Sequence, residues 1–314
     1  MTENSTSSQE QPDADVLSED SSVALSMESI DLANEPCVTY SSMSEIRTPV
    51  KLFREIYHDF MAGRELAWRL FVRNLKGLYR QTMLGLFWAF LPPIANTAVW
   101  IFLKSQNVFQ IGDTGVNSTV YILTGMILWQ AFIDAFQSPG KLVNANKNMI
   151  AKLRFPRESL LLVAVGETLF NLAIRMVLLI PAFLWFGIAL HASILLAPVA
   201  IFGLILLGLG MGILLMPIGS LYQDVGRFIT LVLPFWMIIT PIIYVPSTQY
   251  PDSLLNWVNP VAPLLIVSRD LLLNGSTEFA MLTIPYGIAA VVLLLFSLVF
   301  YRVSLPVLIE RMMA

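Results

Sequence analysis

The feature that most constrains this chain is a series of long runs with almost no charged residues. The run from 84 to 103 has no charged residue in twenty, and a helix of about 20 residues is about 30 Å long, enough to cross the hydrocarbon core of a bilayer. Five further apolar runs follow at about 119–136, 159–190, 194–220, 228–245 and 281–301. We therefore predict an all-α integral membrane protein with six transmembrane helices.

Composition supports this class of protein. Only 13% of the 314 residues are charged and the mean hydropathy is +0.69, whereas soluble domains carry about 25% charged residues. The single cysteine, Cys37, excludes an intramolecular disulfide. His58 and His191 are too few and too far apart for a histidine metal cluster. We expect no metal site.

Several catalytic signatures are missing from the sequence. There is no glycine-rich loop ending in Lys-Ser or Lys-Thr, so we expect ATP to bind elsewhere. There is also no Gly-x-Ser-x-Gly elbow and no His/Cys cluster. We expect a protein that is not itself an enzyme. Basic residues alternate with aromatic ones at 64–80, but the bilayer needs that face, so we expect no nucleic-acid partner.

The first fifty residues differ in character from the rest. They hold ten acidic residues and one basic residue, Arg47, and they lack an apolar periodicity. Such a segment buries too little surface to offset its ordering entropy, so we predict a disordered acidic cytoplasmic tail over 1–50. It also lacks the apolar core of a signal peptide.

The segment 51–82 is predicted to be an amphipathic interface helix that precedes a six-span domain at 83–314. Its basic side chains recur at i, i+4, i+7 and i+11, and its aromatic and aliphatic ones lie opposite. The basic stripe consists of Arg69, Arg73, Lys76 and Arg80. A helix of this kind suits the lipid headgroup layer. The alternative is the solvated face of an ordinary globular helix.

The distribution of basic residues predicts the orientation. Thirteen of the nineteen Lys and Arg residues lie before the first span or in the loop after the second. Basic loops stay in the cytoplasm, which places both termini there as well.

Polar and small residues inside the spans carry further information. Glu167, Asn171 and Arg175 share one face of the third span, and charges at mid-bilayer avoid lipid. They form either a strip along a transport path or an ion pair buried between helices. Glycines at 203, 208, 210 and 212 of the fourth span predict close helix packing. Pro234 and Pro241 predict a bent or broken fifth span, and the proline-rich 246–279 predicts short helices in the outer half of the membrane.

Four sequence pieces, in this order, carry a family resemblance. They are 73–88 (Arg-Asn-Leu-Lys through Trp88), 152–158 (Lys-Leu-Arg-Phe-Pro-Arg-Glu), 222–244 (Tyr-Gln-Asp-Val to Thr-Pro-Ile-Ile-Tyr) and 259–273 (Asn-Pro to Arg-Asp-Leu-Leu-Leu). With them the chain resembles the membrane-spanning subunits of type-2 ABC exporters, in the branch that exports polysaccharides such as O antigen, capsule and teichoic acid.

The resemblance implies a function and a set of partners. Two copies of the chain would pair with two ATP-binding cassette subunits, which hold ATP and Mg²⁺. Together they would export a lipid-linked polysaccharide, O antigen first among the candidates, across the bacterial cytoplasmic (inner) membrane. The acidic first fifty residues depart from the family's usual pattern.

The resemblance also implies roles for residues. A cytoplasmic coupling helix and its following turn would contact the ATPase through Lys152, Arg154, Phe155, Pro156, Arg157 and Glu158. The basic stripe would hold the lipid diphosphate or the anionic membrane surface. Aromatic residues on the path would be Trp100, Trp129, Tyr222, Trp236 and Tyr244, each of which also suits ordinary packing. The external re-entrant gate helices would include Asn259, Pro260, Arg269 and Asp270.

Three other functions compete with this one. A purely structural membrane scaffold would not need a basic coupling loop and would tolerate its loss. An ABC exporter of drugs or small lipids would share the fold. A membrane-embedded glycan ligase or polymerase would need a large external loop rich in Arg, His or acidic residues, and 246–280 offers few.

Overall fold

The described part of the chain is helical throughout its regular elements. The computed structural model describes residues 49–80, 87–108, 111–152, 156–246, 253–275 and 279–313. Its helices are α1 (Pro49–Arg80), α2 (Phe87–Ser105), α3 (Ser118–Ala145), α4 (Lys147–Lys152), α5 (Glu158–Val177), α6 (Leu179–Phe186), α7 (Ala197–Leu221), α8 (Gln223–Ile239), α9 (Ser253–Val258), α10 (Val261–Leu273) and α11 (Ala280–Met313), with a 3₁₀ turn at Ala192–Leu195. The predicted acidic tail lies outside the described residues, apart from its last two positions, which begin α1.

Four of the described helical segments are long and apolar enough to cross a membrane. They are Ser118–Ala145, Glu158–Phe186, Ala192–Leu221 and Thr283–Ser304. They correspond to the predicted second, third, fourth and sixth spans, so the structure confirms an all-helical protein with membrane-spanning segments. The first and fifth predicted spans appear as α2 and α8, which do not meet this standard. Two prolines, Asn96 and Lys104 dilute the hydropathy of α2, and α8 has only 17 residues.

The third predicted span is divided at Leu178. Pro181 has no N–H to donate to the carbonyl of Val177, so one helical hydrogen bond is missing there. The Leu178 amide donates to Arg175 O at 3.0 Å, three residues back rather than four. The second piece, α6, ends at Gly187, whose φ of 63° places it in the left-handed region that favours glycine. Its amide closes the helix on Phe183 O.

The core forms where α7 crosses α3. A Cβ on Gly208 would lie 2.8 Å from Ala135 Cβ, and one on Gly212 would lie 2.2 Å from the carbonyl oxygen of Phe136. The two backbones are therefore in direct contact, as predicted from the glycines. On its other sides α7 meets α11 at Gly210 and α10 at Gly203.

The fifth predicted span ends at its second proline. Helix α8 continues through Pro234 and stops at Ile239, six residues before the predicted end of the span. Thr240 is extended, with ψ of 133°, because the residue before a proline avoids helical backbone. The segment 240–243 that follows is buried. The predicted short helices of 246–279 are present as α9 and α10.

Candidate functional site

The predicted coupling segment begins with α4, directly after α3. Its first residue, Lys147, donates from Nζ to the carbonyl oxygen of Ser220 at 3.1 Å. That carbonyl belongs to the last turn of α7, where backbone oxygens lack helical partners and cations are favoured. Lys147 thus ties α4 to the end of α7. Lys152 is the last residue of α4, and its side chain, like Arg154 and Phe155, lies outside the described residues.

The end of the coupling segment is anchored to two distant helices. Glu158, the first residue of α5, is buried, and its Oε1 lies 3.7 Å from Arg302 Nη1 on α11. The same nitrogen lies 3.1 Å from Asp59 Oδ2 on α1. The carboxylate of Glu158 therefore faces into the chain. Pro156 and Arg157 are half-buried beside it.

Helix α1 passes close to this anchor. A Cβ on Gly63 would lie 3.2 Å from Ser159 Cβ and 3.3 Å from Pro156 Cβ, so the turn into α5 rests on the backbone of α1. No sequence signal pointed to Arg302 or Asp59, since the three charged residues lie far apart along the chain. We call Asp59, Glu158 and Arg302 the anchor cluster.

The residues of the predicted basic stripe on α1 differ in their hydrogen-bond and ion-pair partners. Arg69 is exposed and pairs with Glu65 at 2.6 Å. Lys76 is exposed, and Arg80 ends the helix with its side chain outside the description. Among the described side chains of the stripe, only Arg73 donates to another element, from Nη2 to Asn146 Oδ1 at 3.2 Å.

The apolar side of α1 is also divided. Ala67 and Leu70 are buried, while Trp68 is 65% exposed. Phe71 contacts Gly166 and packs edge-on against Phe170, both on α5. One side of α1 is therefore packed on protein, and aromatic surface remains available on another.

A polar pocket of about 600 Å³ lies between α1, α3 and α5. Arg175 Nη1 pairs with Asp134 Oδ2 at 2.6 Å, and Asn171 Nδ2 donates to the same oxygen at 3.3 Å. Glu167 accepts from Asn74 Nδ2 of α1 at 2.9 Å. The predicted polar face of the third span is therefore held between helices, and the partner of Arg175 is Asp134 on α3.

Two of the predicted path aromatics meet in one cluster. The rings of Trp129 and Trp236 are edge-on with centroids 6.1 Å apart, and Phe132 lies 5.3 Å from the first and 5.4 Å from the second. Trp236 also donates from Nε1 to Asn259 Oδ1 at 3.1 Å. Trp100 is half-buried on α2 and packs against the core.

The other two path candidates lie at opposite ends of α8. Tyr222 is 65% exposed before the first turn, about 21 Å from Trp236 along the helix axis. Tyr244 follows the last turn and donates from its hydroxyl to Ile239 O at 2.9 Å. The structure does not bring these five residues into one site.

The predicted gate residue Arg269 is fully buried on α10. Its Nη1 donates to the carbonyl oxygens of Pro241 and Ile242 at 2.7 and 3.2 Å. Its guanidinium carbon lies 3.8 Å from the centre of the Tyr121 ring. Burial lowers the pKa of Arg269 from its ordinary value, which is so high that the side chain stays protonated. Arg269 therefore holds the non-helical backbone after α8 against α3.

The remaining gate candidates surround this contact. Asn259 donates from Nδ2 to Thr240 Oγ1 at 2.8 Å, and its Oδ1 accepts from the amide of Val261 at 3.1 Å. Pro260 precedes α10, and Asp270 follows Arg269 with its side chain half-buried. Asn259 thus joins α8, the 240–243 segment and α10.

A glycine of α3 makes room for the same segment. A Cβ on Gly125 would lie 2.8 Å from Ile242 O. Tyr121 lies one turn before Gly125 on α3, and its hydroxyl donates to Tyr244 O at 3.2 Å. Neither residue stood out in the sequence, because both lie in an apolar span without a pattern of their own.

Known proteins match the part of the chain that holds most of the residues described above. The family model of the ABC-2 type transporter matches residues 65–274. The O-antigen export system permease protein RfbA of Klebsiella pneumoniae is 28% identical over 219 residues, which cover 68% of this chain and 82% of that protein. The protein of the same name from Myxococcus xanthus is 25% identical over 223 residues, covering 69% and 82%.

Proposed function

The chain belongs to the ABC-2 type transporter family, and from that membership we propose that it is the membrane subunit of an ABC transporter that exports a lipid-linked polysaccharide. The matched residues run from the middle of α1 to the end of α10. They include the predicted coupling segment, the polar pocket and Arg269. This match is the observation that carries the proposal.

The substrate class rests on the relatives. Proteins in two bacterial species that share about a quarter of their residues with this chain are O-antigen export permeases. We propose O antigen as the first candidate cargo, with capsule and teichoic acid as related cargoes of the same chemistry. Trp100, Trp236 and Tyr244 are half-buried and Tyr222 is exposed, so they offer aromatic surface of the kind that stacks on sugar rings. Trp129 is only 3% exposed and packs against Trp236.

We propose six spans, with α2 and α8 completing the four long apolar segments. Both termini are then cytoplasmic, which puts the basic segment 141–157 on the same side. The family and the bacterial relatives support the inner membrane of a bacterium as the location of the protein. Short helices α9 and α10 lie toward the outer side, where Asn259, Pro260, Arg269 and Asp270 form the external gate.

A second copy of the chain is part of the proposal. Helix α8 carries an exposed apolar stripe at i, i+3, i+7 and i+10. These residues are Phe228, Leu231, Phe235 and Ile238, each between 51% and 64% exposed. A second copy would cover this stripe, and two ATP-binding subunits would complete the transporter. ATP and Mg²⁺ are bound in those subunits.

Coupling to the ATPase is proposed to run through α4 and the start of α5. Lys152, Arg154, Phe155 and Arg157 are the contacts to the ATP-binding subunit, with Pro156 fixing the turn. Glu158 faces the other way, into the anchor cluster. A push on the segment therefore moves α5, α1 and α11 together, because Arg302 of α11 lies within ion-pair distance of Asp59 on α1 and of Glu158 at the start of α5.

Loss and restoration of surface glycan test the proposed function. Deleting the gene should leave the polysaccharide inside the cell, and the wild-type chain should restore it to the surface. Arg157→Ala or Phe155→Ala should insert and assemble with the ATP-binding subunit without restoring export. Normal surface glycan in the deletion strain would refute the function, and normal export by both variants would refute the coupling role.

A further inference from the structure

We propose that the polar pocket between α1, α3 and α5 binds the diphosphate group of the lipid that carries the glycan, with Arg73 and Lys141 as its cationic ligands. The inference rests on the proposed function, because it takes the cargo to be lipid-linked. The basic stripe was expected to contact headgroups along the whole of α1, whereas the proposal assigns the diphosphate to this one pocket.

The pocket has the size and access that a ligand needs. Its volume is about 600 Å³, within the range of about 300–1,000 Å³ for small-molecule sites. Three helices contribute polar side chains to it. Arg73, Lys141 and Ala145 at its rim are exposed, so a headgroup can enter.

The charges of the pocket favour an anion. Both of its carboxylates already have partners, since Asp134 pairs with Arg175 and Glu167 accepts from Asn74. Among the described residues, no carboxylate oxygen lies within 4.0 Å of Arg73 or Lys141. The Lys141 ammonium acts on Glu167 only at longer range. The two cations are therefore available to a negatively charged ligand.

Arg73 is also oriented in advance. Its Nη2 is held by Asn146 Oδ1 at 3.2 Å and Asn74 Oδ1 at 3.3 Å. Within the described part of the chain, Nε and Nη1 donate to no other residue. A guanidinium held at one corner presents its remaining N–H groups in a fixed geometry, which suits the oxygens of a phosphate.

The position of Lys141 indicates that the phosphate arrives on a lipid. Lys141 also lines a second cavity of about 230 Å³ between α3, α7 and α8. Most of its walls are glycine backbone and apolar side chains, and Gln137, Asn144 and Thr230 add polar groups. The glycine and apolar residues include Phe136, Gly212, Leu215, Met216, Gly219 and Ile229. Lys141 therefore lies between the polar pocket and a second cavity with mainly apolar walls, an arrangement that suits an anionic headgroup on a hydrocarbon chain.

Binding of three probes tests the proposal. The full chain, assembled with its ATP-binding subunit in phosphatidylcholine nanodiscs, is titrated with a polyprenyl diphosphate, with the matching uncharged polyprenol and with inorganic diphosphate. We expect the polyprenyl diphosphate to bind at least about 10-fold more tightly than either comparison probe. Arg73→Gln and Lys141→Gln should each weaken it about 10-fold, the effect of one charge-assisted hydrogen bond.

Control variants make the result specific. Arg64→Gln removes an exposed charge from the same helix outside the pocket and should change binding less than about 2-fold. Lys141→Gln removes no hydrogen bond to a described residue, and Arg73→Lys keeps the charge. If Arg73→Gln lowers the folded yield, these two variants carry the test of the pocket. Arg73→Lys should lie between wild type and Arg73→Gln.

Several results would overturn the proposal. Unchanged binding in the Lys141 and Arg73 variants would do so, and so would an equal loss in Arg64→Gln or Arg69→Gln, which would indicate diffuse surface charge. Equal affinity for inorganic diphosphate would overturn the lipid source. If the wild type restores surface glycan but its complex binds none of the probes, the pocket proposal fails while the proposed function stands.

Discussion

The guanidinium carbon of Arg269 lies over the ring of Tyr121, 3.8 Å from its centre, and both side chains are almost completely buried. The contact joins α10 to α3, and the same guanidinium holds the carbonyl groups of Pro241 and Ile242. A buried cation costs free energy unless it is hydrogen-bonded. Here two hydrogen bonds from Nη1 and the face of the Tyr121 ring offset part of that cost, while Nε and Nη2 are buried without a hydrogen-bond partner among the described residues.

We expect Arg269→Gln to destabilise the protein by about 3 kcal/mol or more, because it removes the charged donor and the cation–π contact together. Tyr121→Phe is the matched control. It keeps the ring and removes only the hydroxyl that donates to Tyr244 O, so it should cost about 1 kcal/mol. Thermal unfolding of the purified complex measures both. Equal stability of the two variants would contradict the role given to Arg269.

The contact between α3 and α7 predicts a different kind of failure. Gly212→Ala places a methyl group 2.2 Å from a backbone oxygen, so the two helices must separate and the folded yield should fall sharply. Gly287→Ala on α11 adds the same methyl group where nothing lies within 4 Å. It should be neutral or stabilising by up to about 1 kcal/mol, since alanine favours helix. Comparable yields from both variants would show that the helices do not pack this closely.

The buried pair of Asp134 and Arg175 predicts strong energetic coupling. Removing either charge alone should cost about 3–5 kcal/mol, because the other is left buried without a counter-charge. The double variant Asp134→Leu with Arg175→Met should cost much less than the two single changes together. A double-mutant cycle on unfolding of the complex gives the coupling, and additive effects would mean that the pair does not interact.

The anchor cluster predicts loss of transport without loss of ATP hydrolysis. Arg302→Gln detaches the start of α5 from α1 and α11, so we expect ATPase activity to persist while export falls at least about 10-fold. Arg227→Gln is the control, since its pair with Asp224 is exposed and such pairs contribute little. ATPase and transport rates measured on the same vesicles separate the two functions. Parallel loss of both rates in Arg302→Gln would argue for a purely structural cluster.

The sequence predicted helix type and close packing well, because both depend on local composition. The glycines of α7 are the clearest case, since their spacing indicated close contact before any partner was known. Pro234 and Pro241 predicted a bent or broken fifth span, and α8 passes through Pro234 but stops before Pro241.

Long-range pairing was beyond the sequence. The sequence groups Arg175 with Glu167 on one face of the same helix, but its partner Asp134 lies on another helix, where a lone carboxylate gives no signal. Arg302 and Asp59 were missed for the same reason. The resemblance placed Arg269 near the gate, but nothing in the sequence indicated that its guanidinium donates to backbone carbonyl groups.

The most direct measurement of the central claim is ATP-driven movement of a lipid-linked polysaccharide across a vesicle membrane. The purified chain and its ATP-binding subunit are reconstituted with labelled lipid-linked glycan, and the fraction reached by a glycan-degrading enzyme added on one side is followed over time. We predict that ATP changes this fraction with the wild-type chain and leaves it unchanged with Arg157→Ala. A fraction that is independent of ATP with an active ATPase would contradict the claim that this chain exports polysaccharide.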